Sequence, residues 1–460
     1  MPHDSQEIET VNPASGEPLA RYAIETPARI EAALDAAERA CQPWRRVGYD
    51  GRAEVLRRVS ALFRERKAAL AELAACEMGK PIAQGLAEIE KCAWALSHFA
   101  DAAADVLADE VVDIGVADSR VTYEPLGPLL SITPWNYPFW QIVRFAAGAL
   151  AIGNVVVLKH APSVTGAGLA VEKLFAEAGA PAGVFQTLVL TNAQAQRVIS
   201  DWRIRGVGFT GGGRGGASVA AAAGAALKKC VLELGGSDPF IVLADADIAK
   251  AAEAGARSRF QNAGQACLAA KRFIVESAVF DDFVAAFVEA AKAYAPGDPL
   301  SAQTLLGPMA RGDLRAELER QRQVSLAFGA SEALAGGSLS DLPGFFFAPS
   351  VLVHPSPDSP AAVEEMFGPV AAILRADSLG QALALANDTP YGLTASIWTE
   401  DMQRARSFAA LIEAGGVFVN AVPSSDPRLP FGGVKASGFG RELGTVGLKE
   451  FANAKTFVAA

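Results

Sequence analysis

Three side chains of this 460-residue sequence have the type and the setting for covalent chemistry. Cys267 ends the run Asn262-Ala-Gly-Gln-Ala-Cys267, in which Gly264 permits unusual backbone angles and small or polar residues surround the thiol. A thiol becomes a strong nucleophile when it is partly exposed beside a positive charge or a base. A lone cysteine elsewhere is a small buried hydrophobe. Glu233 stands between Leu232 and Leu234, ahead of Gly235 and Gly236. Apolar neighbours raise a carboxyl pKa toward the range of a general base, and the plainer reading is a carboxylate at a strand end. Asn136, in Thr133-Pro-Trp-Asn136-Tyr-Pro138, offers an amide to a developing oxyanion or a cap to the next helix.

A fourth feature, Thr210-Gly-Gly-Gly-Arg-Gly-Gly216, contains GxGxxG after a predicted strand. Read naively it is a dinucleotide fingerprint, with Glu233 on a ribose hydroxyl. It stands at the fourth strand of its layer rather than the first, so only a glycine turn that offers N–H groups to phosphate is expected. The remaining cysteines, Cys41, Cys76, Cys92 and Cys230, fall in helical or apolar runs, and no CxxC pair or clustered histidine suggests a metal. A net charge of −10 argues against nucleic acid as the main partner. The polar start MPHDSQEIET lacks a secretory pattern, and the most apolar stretch, 145–158, is too short to span a bilayer. A cytoplasmic enzyme is the expectation.

The elements that must position these residues follow from periodicity. From Thr26 to about Ala108 apolar residues recur at three and four, which predicts successive helices. Residues 111–124 alternate more like strand. Strands at 129–133, 155–159, 184–190 and 206–210 are separated by helical segments, the signature of parallel βαβ units. The pattern restarts at Pro239 and Arg272, implying a second α/β unit, with 336–360 as a Pro/Gly/Ser-rich surface excursion.

Taken in order, TPWNYP, VVLKHAP, GFTGG, LELGG, NAGQAC, EEMFGP, NDTPYGL and PFGGVKASGFGRE closely resemble the aldehyde dehydrogenase superfamily from residue 11 to the end. LKHAP, LELGGSDPFIV and FGGVKASGFGRE look most like its bacterial succinate-semialdehyde dehydrogenases. The resemblance implies an α/β fold: a Rossmann-like coenzyme domain (1–108 and 127–233), a catalytic domain (234–425), and a bridging or oligomerisation β element (109–126 and 426–460). It makes Cys267 the nucleophile, Glu233 the base that hydrolyses the thioester, and Asn136 the oxyanion amide beside the Cys267 N–H. For the coenzyme, NAD or NADP, it assigns Thr133, Pro134, Trp135, Lys159, Pro162, Thr210, Gly211, Glu365 and Phe367.

Departures from the pattern carry their own expectations. Pro162 stands where NAD-preferring members commonly carry Glu, so nothing there repels a 2′-phosphate, and Arg214 or Ser163 are candidates to assist it. Gly212 replaces a frequent Ser, and Ala269 a frequent second cysteine. Arg144, two helical turns past Asn136, occupies the position of a carboxylate-binding arginine, whereas a second such arginine is Gln261. Arg259, Ser425 and Arg428 are the candidates to compensate, with Phe431 lining the tunnel. The expected partners are a small aldehyde and a second copy of the chain, as dimer or tetramer, with no membrane. A CoA-acylating enzyme and a binding protein that has lost catalysis are the rival readings.

Overall fold

The computed structural model describes residues 7–459, so the first six residues read above for a leader, His3 among them, lie outside it. A hairpin, Glu7–Val11 with Pro18–Ala23, precedes four helices: α1 (Pro27–Arg46), α2 (Gly48–Glu65), α3 (Lys67–Met78) and α4 (Ile82–Val106). Thr26 caps α1 by accepting from the Arg29 amide at 3.2 Å, and Pro27 supplies a preset φ at its start. The apolar faces of α2 and α4 bury Leu56, Val59, Phe63, Ile89, Leu96 and Phe99 against one another and against the sheet that follows.

That sheet contains β1 (Pro128–Ile132), β2 (Val155–Lys159), β3 (Phe185–Thr187), β4 (Gly206–Thr210) and β5 (Lys229–Glu233), linked by α5 (Trp140–Ile152), α6 (Thr165–Glu177), α7 (Asn192–Ser200) and α8 (Gly213–Ala225). Every residue of β1 and β2 is buried, which explains their near-continuous apolar sequence. α5 starts at Trp140, two residues later than the Pro138 expected, and ends on Gly153 at φ 107°, a left-handed turn suited to glycine. The chain runs β1–β2–β3 to one side and then returns to place β4 and β5 on the other. The β1/β4 boundary is therefore a switch point, where the C-terminal ends of parallel strands leave a crevice.

The second sheet has seven strands. In chain order they are β6 (Pro239–Val242), β7 (Arg272–Glu276), β8 (Ser331–Leu334), β9 (Ser350–Val353), β10 (Val370–Ala376), β11 (Thr394–Trp398) and β12 (Gly416–Val419); in space the order is β8-β9-β10-β7-β6-β11-β12. Only β8 runs antiparallel to its neighbour. The expectation of a surface excursion over 336–360 is corrected here. Ser350–Val353 is a strand inside the sheet, with Ser350, Val351 and Leu352 all at 0% exposure, because the short apolar run SVLV is set among Pro, Gly and Ser. α9 (Ile248–Phe260) connects β6 to the loop that carries Cys267.

A separate three-stranded sheet joins Glu110–Val111, Asp118–Pro125 and Ala452–Ala459, the last two antiparallel over eight residue pairs. Of the 426–460 stretch expected in this bridging element, only Ala452–Ala459 pairs with it. Gly438–Phe439 (β13) instead adds to the edge of β5, opposite Glu233 and Leu232, and Val434–Lys435 pairs with Tyr391–Gly392. Residues 426–451 thus return to the site, drawn there by β-pairing that the glycine-rich sequence does not advertise.

Candidate active site

Cys267 lies on a loop whose backbone is held in an uncommon shape. Asn262 and Ala263 have φ of 55° and 53°, followed by Gly264 at 69°. A side chain at Gly264 would meet the Gly368 carbonyl oxygen at 2.4 Å, so this position needs glycine for space as well as for φ. Side-chain bonds hold the strained segment. Asn262 Nδ2 donates to the carbonyls of Asn136 (2.8 Å) and Gln265 (3.1 Å), and Gln265 Oε1 accepts from the Ala310 amide at 2.9 Å. Fully buried Arg259 donates to the Gly264 and Ala270 carbonyls (2.6 and 3.1 Å). Arg259 is therefore a brace for the loop and is removed as a candidate for substrate.

Asn136 comes to the same loop from the end of β1. Its Nδ2 donates to the Gln265 carbonyl at 3.0 Å, and its Oδ1 accepts from Gln141 at 3.5 Å. It caps no helix, since α5 begins at Trp140 with Phe139 preceding it. An amide carries two donor hydrogens, so one remains for an oxyanion. From below, Lys271 Nζ donates to the carbonyls of Cys267 (2.7 Å) and Ala266 (3.1 Å) and lies 3.4 Å from Glu365. Burial pushes the Cys267 thiol up to about 11 against the opposing fields of Arg144 and Lys271. Lys271 was missed in the sequence because a lysine beginning a strand, four residues after the cysteine, looks like an ordinary strand end.

Glu233 ends β5 at 2% exposure, and neither carboxylate oxygen has a hydrogen-bond partner. Burial raises its pKa well above the ordinary range; Arg144 opposes the shift and Glu442 adds to it. Glu442, a second residue the sequence reading did not single out, forms a buried ion pair with Arg144. Arg144 also donates to Thr210 Oγ1 at 3.0 Å and lies 4.7 Å over the Phe431 ring. Arg144 therefore faces the site as expected, but as half of an ion pair. Phe431 packs behind it and does not line the cavity, which corrects the tunnel expectation. Arg428 is likewise corrected: it is exposed, pairs with Asp426 at 2.7 Å and stacks over Trp94.

Two cavities flank this machinery. One, of about 200 Å³, is lined by Cys267, Arg144, Gln261, Ser425, Trp140 and Lys91 among others. The other, of about 740 Å³, lies at the β1/β4 switch point and is lined by Thr133, Pro134, Lys159, Pro162, Thr210 and the Gly211–Gly215 turn. No side chain caps α8 at its start, and a Cβ at Gly212 or Gly213 would meet nothing within 4 Å. An uncapped helix N-terminus beside Lys159 and Arg214, neither of them in an ion pair among the described residues, suits a phosphorylated ligand. Glu233 does not line this cavity, so it is not placed for a ribose hydroxyl there. Trp135 and Phe367 meet edge to face at 5.7 Å, and Glu365 accepts from the Gly236 amide at 3.1 Å; none of these side chains lines either cavity. The Ser163 hydroxyl is buried without a partner and does not line the cavity, whereas Arg214 does.

A crevice at the strand switch point, a braced thiol, a buried carboxyl without partners and an oriented amide occur together in this chain, and the family model for the "Aldehyde dehydrogenase family" matches residues 1–457. The chain belongs to the aldehyde dehydrogenase family. It is 46% identical to the succinate semialdehyde dehydrogenase [NAD(P)+] of Escherichia coli, over 97% of this chain and 96% of that one. It is 42% identical to the succinate-semialdehyde dehydrogenase [NADP(+)] of Deinococcus radiodurans, over 97% and 93%. Among solved structures, the succinic semialdehyde dehydrogenase of Streptococcus pyogenes in complex with NADP+ superimposes with a TM-score of 0.96 at 35% identity, covering 98% of this chain and 99% of that one. Among the described residues of this aldehyde dehydrogenase no group of metal ligands and no helix long and apolar enough to cross a membrane occurs.

Proposed function

We propose that this aldehyde dehydrogenase oxidises an aldehyde bearing a distal carboxylate, succinate semialdehyde first among them, to the carboxylic acid with NADP⁺ or NAD⁺. The observation that carries the reading is the cavity on Cys267, whose lining also includes Arg144, Lys91, Ser258 and Ser425. Such a lining favours an anionic tail on the substrate. Thr133, Pro134, Trp135, Lys159, Pro162, Thr210, Gly211, Glu365 and Phe367 hold the coenzyme, which serves as the hydride acceptor. We assign 1–108 with 127–233 to that task and 234–425 to catalysis.

In this reading Cys267 loses its proton to solvent water, and the thiolate attacks the aldehyde carbon, whose oxygen takes up the negative charge of the thiohemiacetal anion. The free Asn136 hydrogen and the Cys267 N–H hold the oxyanion. Loss of hydride leaves a thioester on Cys267. Glu233, once ionised, takes a proton from water, which attacks the thioester and releases the acid. Lys271 keeps the loop carbonyls fixed while Cys267 changes its bonding.

The experiment is a panel of succinate semialdehyde and butanal with both coenzymes, followed by product analysis. Preference for the anionic aldehyde and release of free acid support the reading. Acyl-CoA formed only when CoA is supplied would replace it with the acylating reaction, and no coenzyme reduction with any aldehyde would leave a binding protein. We further propose a cytoplasmic homo-oligomer. The outer edge of Ala452–Ala459, with Phe457 and Val458 exposed, and the outer edge of β12 are unpaired among the described residues, and paired edges are how such strands are normally covered.

A further inference from the structure

The cation that reads the substrate's tail is identified by asking which charges in the cavity are already neutralised. Arg144 is paired with Glu442. Arg428 is paired with Asp426 outside the cavity. Lys91, on α4, is different. It lines the cavity shared with Cys267, and it forms no ion pair among the described residues. The nearby acids are committed elsewhere. Glu88, one turn earlier on α4, pairs with buried Lys80 and accepts from the Phe139 and Trp140 amides at 2.9 Å, while Asp426 holds Arg428.

What Lys91 does touch orients it. Nζ donates to Ser425 Oγ at 2.7 Å and lies 4.3 Å over the Trp140 ring. The ring stabilises a cation without neutralising it, and the hydroxyl uses one of three donor hydrogens. Burial, with Arg144 nearby, pushes this ammonium down to about 8, as expected for a charge held out of water without a counter-ion. A dedicated anion site has this form: a fixed, partly dehydrated cation with spare donors, on the wall of the reaction cavity.

We propose that Lys91, with Ser425 and Trp140 positioning it, is the residue that binds the distal carboxylate of the aldehyde and so sets specificity for anionic substrates. This rests on the anionic-aldehyde reading above. The carboxylate supplies the missing counter-ion, and Ser425 Oγ, which accepts from Lys91, has its own hydrogen free to donate to the same carboxylate. Arg144 contributes field, but its charge is shared with Glu442.

The test is steady-state kinetics of the full chain, wild type against Lys91→Met and Lys91→Arg, with succinate semialdehyde and butanal at saturating coenzyme. Lys91→Met should lower kcat/KM for succinate semialdehyde by roughly 10- to 100-fold, the scale of one lost charge-assisted hydrogen bond. The loss should fall mainly on KM, with butanal losing at most about threefold, and Lys91→Arg should recover much of the selectivity. Lys91→Gln replaces the methionine variant should that one disturb packing on Trp140. Equal losses on both aldehydes, or a selectivity ratio that survives in Lys91→Met, would overturn the assignment while leaving the proposed function standing. A wild type that does not prefer succinate semialdehyde over butanal would overturn both.

Discussion

The two cavities, one on Cys267 and one at the β1/β4 crevice, are built from different materials. Around Cys267 the walls are side chains: the thiol itself, the amides of Gln141 and Gln261, and two cations, Arg144 and Lys91, while Asn262, Arg259 and Lys271 brace the loop that carries the thiol. At the β1/β4 crevice the walls are largely backbone, from the Gly211–Gly215 turn and the uncapped start of α8, with Pro134 and Pro162 also lining it. A side-chain site depends on residue type, so a single substitution removes a function outright. A backbone site depends on chain path, which many sequences trace, so single substitutions there should bias affinity rather than abolish it.

The largest expected effect is at Cys267. Cys267→Ala should abolish aldehyde-dependent NADPH formation while coenzyme titration stays near wild type, since the thiol is needed only for the covalent step. More than a few percent of residual turnover would remove Cys267 from its role. In the wild type without ligands, a thiol pushed up to about 11 is mostly protonated at neutral pH, so alkylation by iodoacetamide should quicken roughly tenfold per pH unit toward that range. A rate flat above pH 7 would mean that the thiolate is already formed.

Next comes Glu233→Gln, expected to slow steady turnover by about two to three decades, within the range of general-base catalysis. Rapid mixing should show a burst of NADPH and then a stall at the thioester. The pH behaviour has a definite sign. Burial raises the Glu233 pKa, the ionised form is the base, and ionised Glu233 accumulates as pH rises, so wild-type deacylation should speed up with pH. The glutamine variant should lose that slope. Weakened coenzyme binding with deacylation intact would instead restore the ribose reading of Glu233.

A third effect concerns the support behind the side-chain cavity. Arg144→Ala leaves Glu442 buried at 6% exposure without its partner, which should cost about 3–5 kcal/mol of stability. Denaturant unfolding measures it, and a loss under about 1 kcal/mol would show that water readily replaces the guanidinium. Here the legibility of the sequence divides along physical lines. Strands β1 and β2 stood out because both faces are buried and the apolar runs are continuous, whereas β5, exposed at its start, and β13 did not. Cys267, Glu233 and Asn136 stood out because their chemistry is carried by residue type. Lys91 and Glu442 did not, because their importance lies in partners far away in the chain, Ser425 for the one and Arg144 for the other, and Lys271 did not because it looks like an ordinary strand end. Strand β9 was hidden for a related reason: a serine and three apolar residues among prolines and glycines bury themselves only when a neighbour strand is already in place.

The smallest expected effect tests the backbone-built side. Pro162 is exposed and lines the larger cavity together with Lys159 and Arg214. It neither accepts a ribose hydrogen bond nor repels a phosphate, so both NADP⁺ and NAD⁺ should be used. Pro162→Glu would add a carboxylate at an exposed position, where two like charges about 4 Å apart interact by only about 1 kcal/mol in water and a few times that near a protein surface. The KM for NADP⁺ should therefore rise several-fold to some tens-fold, while that for NAD⁺ stays level or falls as the new carboxylate accepts from the ribose hydroxyls. Salt should weaken the discrimination, because an exposed carboxylate and phosphate are screened over about 8 Å at physiological ionic strength. A KM ratio for the two coenzymes that does not move in the variant would mean that residue 162 does not face the adenosine ribose. Coenzyme choice would then fall to Lys159 and Arg214 on the remaining wall of the cleft, and Arg214→Ala would be the substitution that shifts it.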